Sequence, residues 1–373
     1  MSGEGKKGGA FYKEGKKMKL AQCDIIIPVF NRLDVTKNCL GSIYERTDTE
    51  SNLILIDNGS DRETRDFLDS LYVSHQAQAD AKKKIREAIV IHNNSNKGWV
   101  KAVNQGLKLS LSPYICIMNN DTVVRTDDWL SKLIDVAELE KEIGLVNPRF
   151  DIKKKIESGK RFVEIDFCRG YCILIKRSVV EKIGLFDESY GLGYYDDDDY
   201  SVRASREGFK CVRANEVFVE HLRDSTFSAL FEDRERRALH ENNKTLFYSK
   251  WGRRLKIVFI VSKTVNENKL SHILFSLARK QHIVYLWNPV NTVPFEHINI
   301  RQHAFPRLFY RPFFPTVVFF NKMKKEPKRY NLVFSDDIKL SRILSKAGAP
   351  SFFIDIEKDN DRIDEIVDVT SKV

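Results

Sequence analysis

Short runs of consecutive apolar residues, each closed by polar residues and followed by helical spacing, recur along the first third of the chain. "DIIIPV" (24–29) is apolar without alternation and stops at a proline and a polar turn, which predicts a strand buried on both faces. Helical spacing follows from about Val35 to Tyr44. A second run, "NLILID" (52–57), is punctuated by "NGSD", and a charged helical stretch begins at Arg62. "AIVIHN" (88–93), helical spacing from Gly98 to Leu109, and "YICIMNN" (114–120) repeat the alternation. Strand–helix alternation predicts an α/β fold with a parallel sheet covered on both faces. Ligands of such sheets lie beyond the carboxyl ends of the strands. Three of the four strands end in residues suited to ligands: Asp57-Asn58, His92-Asn93-Asn94 and Asn119-Asn120-Asp121.

After Gly144 the pattern is less regular. Strands are expected near "RFVEIDF" (161–167) and "YCILIK" (171–176), then a helix over "RSVVEKIG". A Gly- and Tyr-rich loop, "FDESYGLGYY", leads into the acidic run "DDDD" (196–199) and a helix to about Gly208. The strand "EVFVEH" (216–221) follows, and a polar helix near 226–250 closes the unit. "RLKIVFIVS" opens a second α/β unit at about Leu255, with "YNLVFSDD" and "KLSRILSKAG" as later elements. No repeat of fixed period is present.

Composition narrows the classes. With 373 residues, 42% hydrophobic, the chain is long enough for two domains with real cores. No apolar run approaches the ~20 residues that span a bilayer. The segment 1–22, with six Lys against two Glu, is expected to be a flexible basic tail rather than a signal peptide. Six cysteines, none in a CxxC pair, lie mostly within apolar runs; reduced thiols in a cytosolic protein are expected, and a zinc site is not. The net charge of +10 is unevenly placed: residues 253–373 carry +9 and residues 23–252 carry −3. Nucleic-acid binding would spread basic charge along the main domain, so it is not expected. Eight basic residues against one acid between Arg301 and Arg329, among aromatics, fit a membrane surface or an anionic acceptor. The competing reading is a core element with a solvated basic edge.

"DIIIPVFNR", "LILIDNGSD", "NKGWVKAVNQG", "MNNDT" and "FDESYGLGYYDDDDYSVRASREGFK…VEH", in that order, resemble the family 2 glycosyltransferases over about residues 23–230. The rhamnosyltransferase-like branch is the most similar. The resemblance implies a GT-A fold with a Rossmann-like mixed sheet, followed by a smaller Rossmann-like α/β domain. It implies inverting transfer of a sugar from a nucleotide-diphosphate sugar to a glycan or lipid-linked acceptor. Residues 253–373 loosely resemble the N-terminal half of a GT-B enzyme, and a second complete active site is not expected.

Residue by residue, the resemblance implies that Asp57 accepts a hydrogen bond from the nucleotide base, with Pro28, Val29, Phe30 and Asn31 lining the same pocket. An Asx-turn in "DNGS" would explain Asp57 equally simply. Asn93, Gly98, Asn104, Asn119 and Asn120 fall on the donor side, with Gly98 allowing close backbone approach at a helix start. Trp99 and Val103, four apart, are expected in the core. "NNDT" stands in place of the metal-binding DxD motif, so Asp121 is expected to hold Mn²⁺ or Mg²⁺, and His221 to complete the site. Their alternatives are a capping turn and a hydrogen-bonded core histidine. Asp197 matches the general base, Asp196 an acid that orients acceptor hydroxyls, and Asp199 a partner of Arg203 at i,i+4. Asp198 stands where an apolar residue is usual and has no assigned role. The competing reading is that the acids only favour a helix N-terminus, at ~0.3–1 kcal/mol each. Neighbouring residues at a helix start diverge, so at most two of the four are expected to face one pocket.

Two other functions compete. A sugar-phosphate nucleotidyltransferase needs a Gly-rich phosphate loop after the first strand, and "PVFNR" has none. An inactive sugar-nucleotide or glycan-binding scaffold has Asn119 as its only hint.

Overall fold

The computed structural model describes residues 12–13, 16–17, 20–77, 84–150, 159–222, 233–288, 295–305, 310–325 and 328–372. Most of the tail 1–22, the start of the helix expected from 226, and residues 306–309 and 326–327 of the basic stretch lie outside them. Tyr12–Lys13 pairs antiparallel with Lys16–Lys17.

The first sheet begins with β1 (Cys23–Val29), β2 (Ser51–Asp57), β3 (Ile85–His92) and β4 (Tyr114–Met118). All four are parallel, in the order β3-β2-β1-β4. All seven residues of β1 are buried, as its unbroken apolar run requires of a central strand. Between the strands run α1 (Leu33–Arg46), α2 (Arg62–Ala77) and α3 (Trp99–Leu109). Ile25, Ile27 and Val29 face one core with Leu40 and Ile43 of α1, and Ile26 faces the other with Val103 and Leu107 of α3. That division follows the period-2 alternation of a strand. Gly106 lets α3 close on β1, since a Cβ there would collide with Ile26.

Beyond β4 the sheet departs from the parallel expectation. It continues through β5 (Thr122–Val124), α4 (Trp129–Ala137), β6 (Ile143–Arg149), β7 (Phe162–Ile165), β8 (Cys172–Lys176), α5 (Arg177–Ile183), α6 (Asp196–Arg206) and β9 (Lys210–His221). The full order is β3-β2-β1-β4-β8-β6-β9-β5, with β7 also on β9. β8 is antiparallel to both neighbours, β4 and β6. The sheet is therefore mixed, as the family resemblance implied and the alternation of the first four strands did not. β9 is twice as long as "EVFVEH", because it pairs first with β6 and β7 and then, past a register shift, with β5.

Helix α7 (Asp233–Trp251) returns across the first domain, and the chain then enters a second sheet. This one contains β10 (Lys256–Ile260), β11 (Ile283–Asn288), β12 (Ile300–Ala304), β13 (Leu332–Ser335) and β14 (Ser351–Phe353), all parallel, in the order β12-β11-β10-β13-β14. Its helices are α8 (Glu267–Arg279), α9 (Tyr310–Lys322), α10 (Ile338–Lys346) and α11 (Asn360–Lys372). The two domains meet through polar pairs: the buried Glu164 carboxylate accepts from Arg279 at 2.5 and 3.2 Å, and Asp166 pairs with Arg254 at 3.2 Å. All six cysteines are free and buried. Among the described residues no helix is long and apolar enough to cross a membrane.

Candidate active site

A cleft of about 660 Å³ opens at the carboxyl ends of β1 and β4. Pro28, Val29 and Phe30 form its floor from the end of β1, and Asn119, Asn120 and Asp121 reach it from the end of β4. Gly98 and Trp99 enter from the start of α3, Asp196, Asp197 and Asp198 from the start of α6, and His221 from the end of β9.

Pairing of β9 with β5 sets His221 opposite Thr122, the residue after Asp121. His221 Nε2 consequently lies 3.3 Å from Asp121 Oδ1. Tyr171 stacks on the imidazole at 5.4 Å and is itself fixed by a hydrogen bond from its hydroxyl to Pro148 O. One carboxylate oxygen and one imidazole nitrogen on the same wall are a donor set suited to a divalent cation whose other ligands are phosphate oxygens and water. Among the described residues no cluster of three or more His, Cys, Asp or Glu is placed to hold a metal unaided.

Three consecutive acids line the cleft, one more than the sequence reading allowed. Each is held differently. Asp197 Oδ2 accepts from Gly170 N–H at 2.8 Å, and its Oδ1 accepts from Asp198 N–H at 2.9 Å. Asp198 pairs with Arg169 at 2.7 Å, so the third acid of the run, which had no assigned role, faces the residue just before Gly170. Burial, then the charge of Asp197, push Asp198 up to about 8 against the pull of Arg169. Asp196 is 4% exposed, and burial together with Asp197 raises its carboxyl well above the usual range. Asp199 turns away from the cleft. Fully buried, it takes Arg203 at 2.9 Å, Lys250 at 2.6 Å and Trp251 Nε1 at 2.8 Å, which realises the expected i,i+4 pair and adds two partners from α7.

The loop entering α6 is strained. Tyr194 and Tyr195 both adopt positive φ, 70° and 67°, in a region L-residues rarely occupy. Asn243 of α7 holds that loop, its amide donating to Tyr190 O at 2.8 Å and Gly193 O at 2.7 Å. His240, one turn earlier on α7, packs on both tyrosines at 5.5 and 5.3 Å. Tyr194, Tyr195 and His240 make an aromatic wall of the cleft. Gly98, with φ +87, faces this loop, and a Cβ there would lie 2.9 Å from Gly191 O.

Several residues expected at the donor pocket instead build its frame. Asp57 is fully buried behind the cleft, with Ser60 N–H at 2.8 Å, Arg65 Nε at 3.2 Å and His92 Nδ1 at 2.7 Å on its oxygens. Burial would raise its pKa, but these hydrogen bonds hold it below the usual range. Asn31 ties the turn after β1 to that after β2, its Oδ1 accepting from Asp61 N–H at 2.7 Å. Asn93 is paired in both directions with Gln105, at 2.8 and 2.9 Å. Asn104 serves Phe186, donating to its carbonyl at 2.9 Å and accepting from its N–H at 3.0 Å. Asp57, Asn31 and Asn104 share one reason: a short polar side chain next to unpaired loop backbone satisfies that backbone first, whereas Asn93 is taken up by a side-chain amide. Trp99 departs from expectation in the other direction. It lines the cleft, and its Nε1 donates to Asn119 Oδ1 at 2.8 Å, while Val103 is in the core as expected.

Other lining residues carried no sequence signal. Arg169, Gly170 and Tyr171 fall in the irregular segment after Gly144, and His240 sits in a polar helix. Of the remaining lining residues, Asn58 was marked as a strand end and the tyrosines of the "GLGYY" loop by composition.

Residues 24–184 match the family model "Glycosyl transferase family 2", and residues 154–239 match "Glycosyltransferase like family 2". Over 109 residues, 29% of this chain, the sequence is 28% identical to a "PGL/p-HBAD biosynthesis glycosyltransferase" of Mycobacterium bovis, and equally to one of Mycobacterium tuberculosis. The match spans 39% of the length of these curated relatives. Among solved structures, a mannosyltransferase from Pyrobaculum calidifontis in complex with GDP-Man and Mn²⁺ superposes with a TM-score of 0.49 at 17% identity, covering 61% of this chain and 64% of that one. S. aureus TarS in complex with UDP-GlcNAc gives 0.46 at 12% identity, covering 70% and 72%. Residues 24–239, which the two family models cover between them, belong to the family 2 glycosyltransferases, and their sheet is mixed, as the GT-A fold of that family implies.

Proposed function

We propose that the cleft transfers one sugar from a nucleotide-diphosphate sugar to a hydroxyl of a glycan or lipid-linked acceptor, with inversion at the anomeric carbon. The observation that carries the reading is that Asp121, His221 and Asp197 open onto one cleft. Asp121 and His221 would hold a divalent cation, Mn²⁺ or Mg²⁺, which when bound neutralises charge on the leaving diphosphate. The cleft is otherwise acid-rich, with Arg169 as its balancing cation, so a diphosphate needs such help to enter.

Asp197 is the proposed general base. Its two oxygens are oriented by the Gly170 and Asp198 N–H groups, which leave lone pairs for an acceptor hydroxyl. As the acceptor oxygen bonds to the anomeric carbon and the bond to the diphosphate breaks, the hydroxyl proton passes to Asp197. Asp196, next to Asp197 and lining the same cleft, would orient the acceptor hydroxyls. Phe30 and Trp99 supply apolar surface, and the wall of Tyr194, Tyr195 and His240 suits the faces of sugar rings. Arg169 is a positioning residue, since its pair with Asp198 fixes the peptide that donates to Asp197.

The division into a basic tail (1–22), a transferase unit (23–252) and a second α/β unit (253–373) belongs to the same proposal, as does a reducing, cytoplasmic setting, which the free thiols support. Asn119 does not favour an inactive scaffold: its amide oxygen has a partner in Trp99. A panel of nucleotide sugars screened for Mn²⁺-dependent release of nucleotide diphosphate tests the reading. Release from at least one donor, lost in Asp121→Ala, is expected; no release from any would overturn it.

A further inference from the structure

Helix α9 contains no acidic residue and buries Phe314, Val318 and Asn321 against the second sheet. Phe314 packs edge-on to Trp287 at 5.6 Å and to Phe305 at 5.1 Å. Spacing of i, i+4, i+7 gives the helix one seated face. The roughly opposite face is also apolar, yet it is open to solvent: Phe313 is 43% exposed, Phe319 57%, Phe320 60% and Met323, just past the helix, 72%. At about 100° per residue these four side chains fall on roughly a third of the helical circumference. Of the fourteen large apolar side chains exposed among the described residues, four fall between 313 and 323. Scattered exposed hydrophobes are ordinary, whereas a contiguous stripe marks an interaction surface.

Cations border the stripe. Lys324, Lys325, Lys328 and Arg329 follow α9 and are exposed, as is Arg301 on the edge strand β12. Three of them lie near one point: Lys256, at the start of β10, is held below the ordinary lysine range by burial and then by Arg301, Lys324 and Lys328. An aromatic stripe beside a cationic edge is the pattern of a side chain set that enters an acyl boundary while its charges lie among anionic head groups. A second copy of this chain is a poorer occupant, because a two-fold contact would set the same cations against themselves.

We propose that this face of α9, with the basic edge beside it, docks the protein on an anionic phospholipid bilayer. The inference does not depend on the sugar-transfer reading, since no residue of the cleft takes part. It is tested by sedimenting the full chain with vesicles of phosphatidylcholine, with and without phosphatidylglycerol, at low and high salt. Binding to the anionic vesicles, weakened by salt, is expected. Phe319→Ser with Phe320→Ser should lower it by about tenfold or more, and Lys324→Glu or Lys325→Glu by about fivefold each. These positions are exposed, so unchanged melting curves would show that the variants fold. Soluble glycerophosphate should not compete, because it offers no acyl boundary. Sedimentation no greater than with phosphatidylcholine alone, or equal binding by wild type and the double Phe variant, would overturn the proposal. So would a concentration-dependent dimer that the Phe variant abolishes without any vesicle binding, which would assign the face to a second copy.

Discussion

At the scale of single residues, the candidate base is held by a peptide that a neighbouring ion pair fixes. Gly170 N–H reaches Asp197 Oδ2, and Arg169, one residue earlier, is paired with Asp198. Asn147 anchors the same loop, accepting from Arg169 N–H at 2.6 Å and donating to Arg169 O at 3.0 Å. Asp198→Leu restores the apolar residue type expected there and frees Arg169. Small misplacements of a reacting group cost up to about a hundredfold, so turnover should fall about tenfold to a hundredfold while donor affinity is kept; steady-state kinetics with donor-binding calorimetry checks this. A second residue-scale prediction concerns pH. Burial alone would lower the His92 pKa, but Asp57 and Asp69, at 2.7 and 2.8 Å from its two nitrogens, raise it. The contribution of His92 to stability is therefore complete below its unfolded value of about 6.5 and is lost as pH rises through its raised folded value. Asp57 is shifted down, so its contribution is present above about pH 4 and lost as pH falls. The melting-temperature gap between wild type and His92→Gln should be widest between those limits and should close on the alkaline side.

At the scale of elements, what could be read from the sequence depended on whether a segment meets its burial with side-chain pattern or with specific partners. β1, β2 and β4 are built on the apolar runs "IIIPV", "LILI" and "YICIM" and announce themselves. β6 was not legible, because "IGLVNPR" carries an asparagine and a proline within a buried strand; Asn147 is tolerated there only because Arg169 and Cys172 take up its amide. Strand direction leaves no mark in an apolar run, so the antiparallel β8 could not be inferred from pattern, although the family resemblance implied a mixed sheet. The same limit applies to the site. Asp121, Asp197 and His221 stand at strand and helix ends and meet in one cleft, whereas Asn31, Asn93 and Asn104 look identical in sequence whether they face a ligand or the frame around it. Helix α7 is a further case, polar in composition yet central to the site's frame. Its end is locked to α6 by Asp199, and its middle holds the strained tyrosine loop through Asn243. Asp199→Asn leaves Lys250 and Arg203 without their shared charge and should destabilise the fold by about 3–5 kcal/mol. Urea denaturation measures that loss, and a change below about 1 kcal/mol would mean that α7 is held by its apolar contacts alone.

At the scale of the molecule, chemistry and charge are separated. Residues 23–252, which include every residue lining the cleft, carry a net charge of −3, and residues 253–373, which include the second sheet, carry +9. The cleft lies at the carboxyl ends of a parallel strand group, where strand ends, helix starts and the loops between them supply the lining, so side chains can reach a ligand without unpairing the sheet. Its central assignment is that Asp197 takes a proton during transfer rather than shaping the donor pocket. One paired measurement on Asp197→Asn separates the two: donor affinity by calorimetry with Mn²⁺, and turnover on the same preparation. The predicted result is donor affinity within about threefold of wild type and turnover lower by roughly 10²–10⁴. Turnover at the wild-type level, or a loss explained wholly by weakened donor binding, would contradict the assignment.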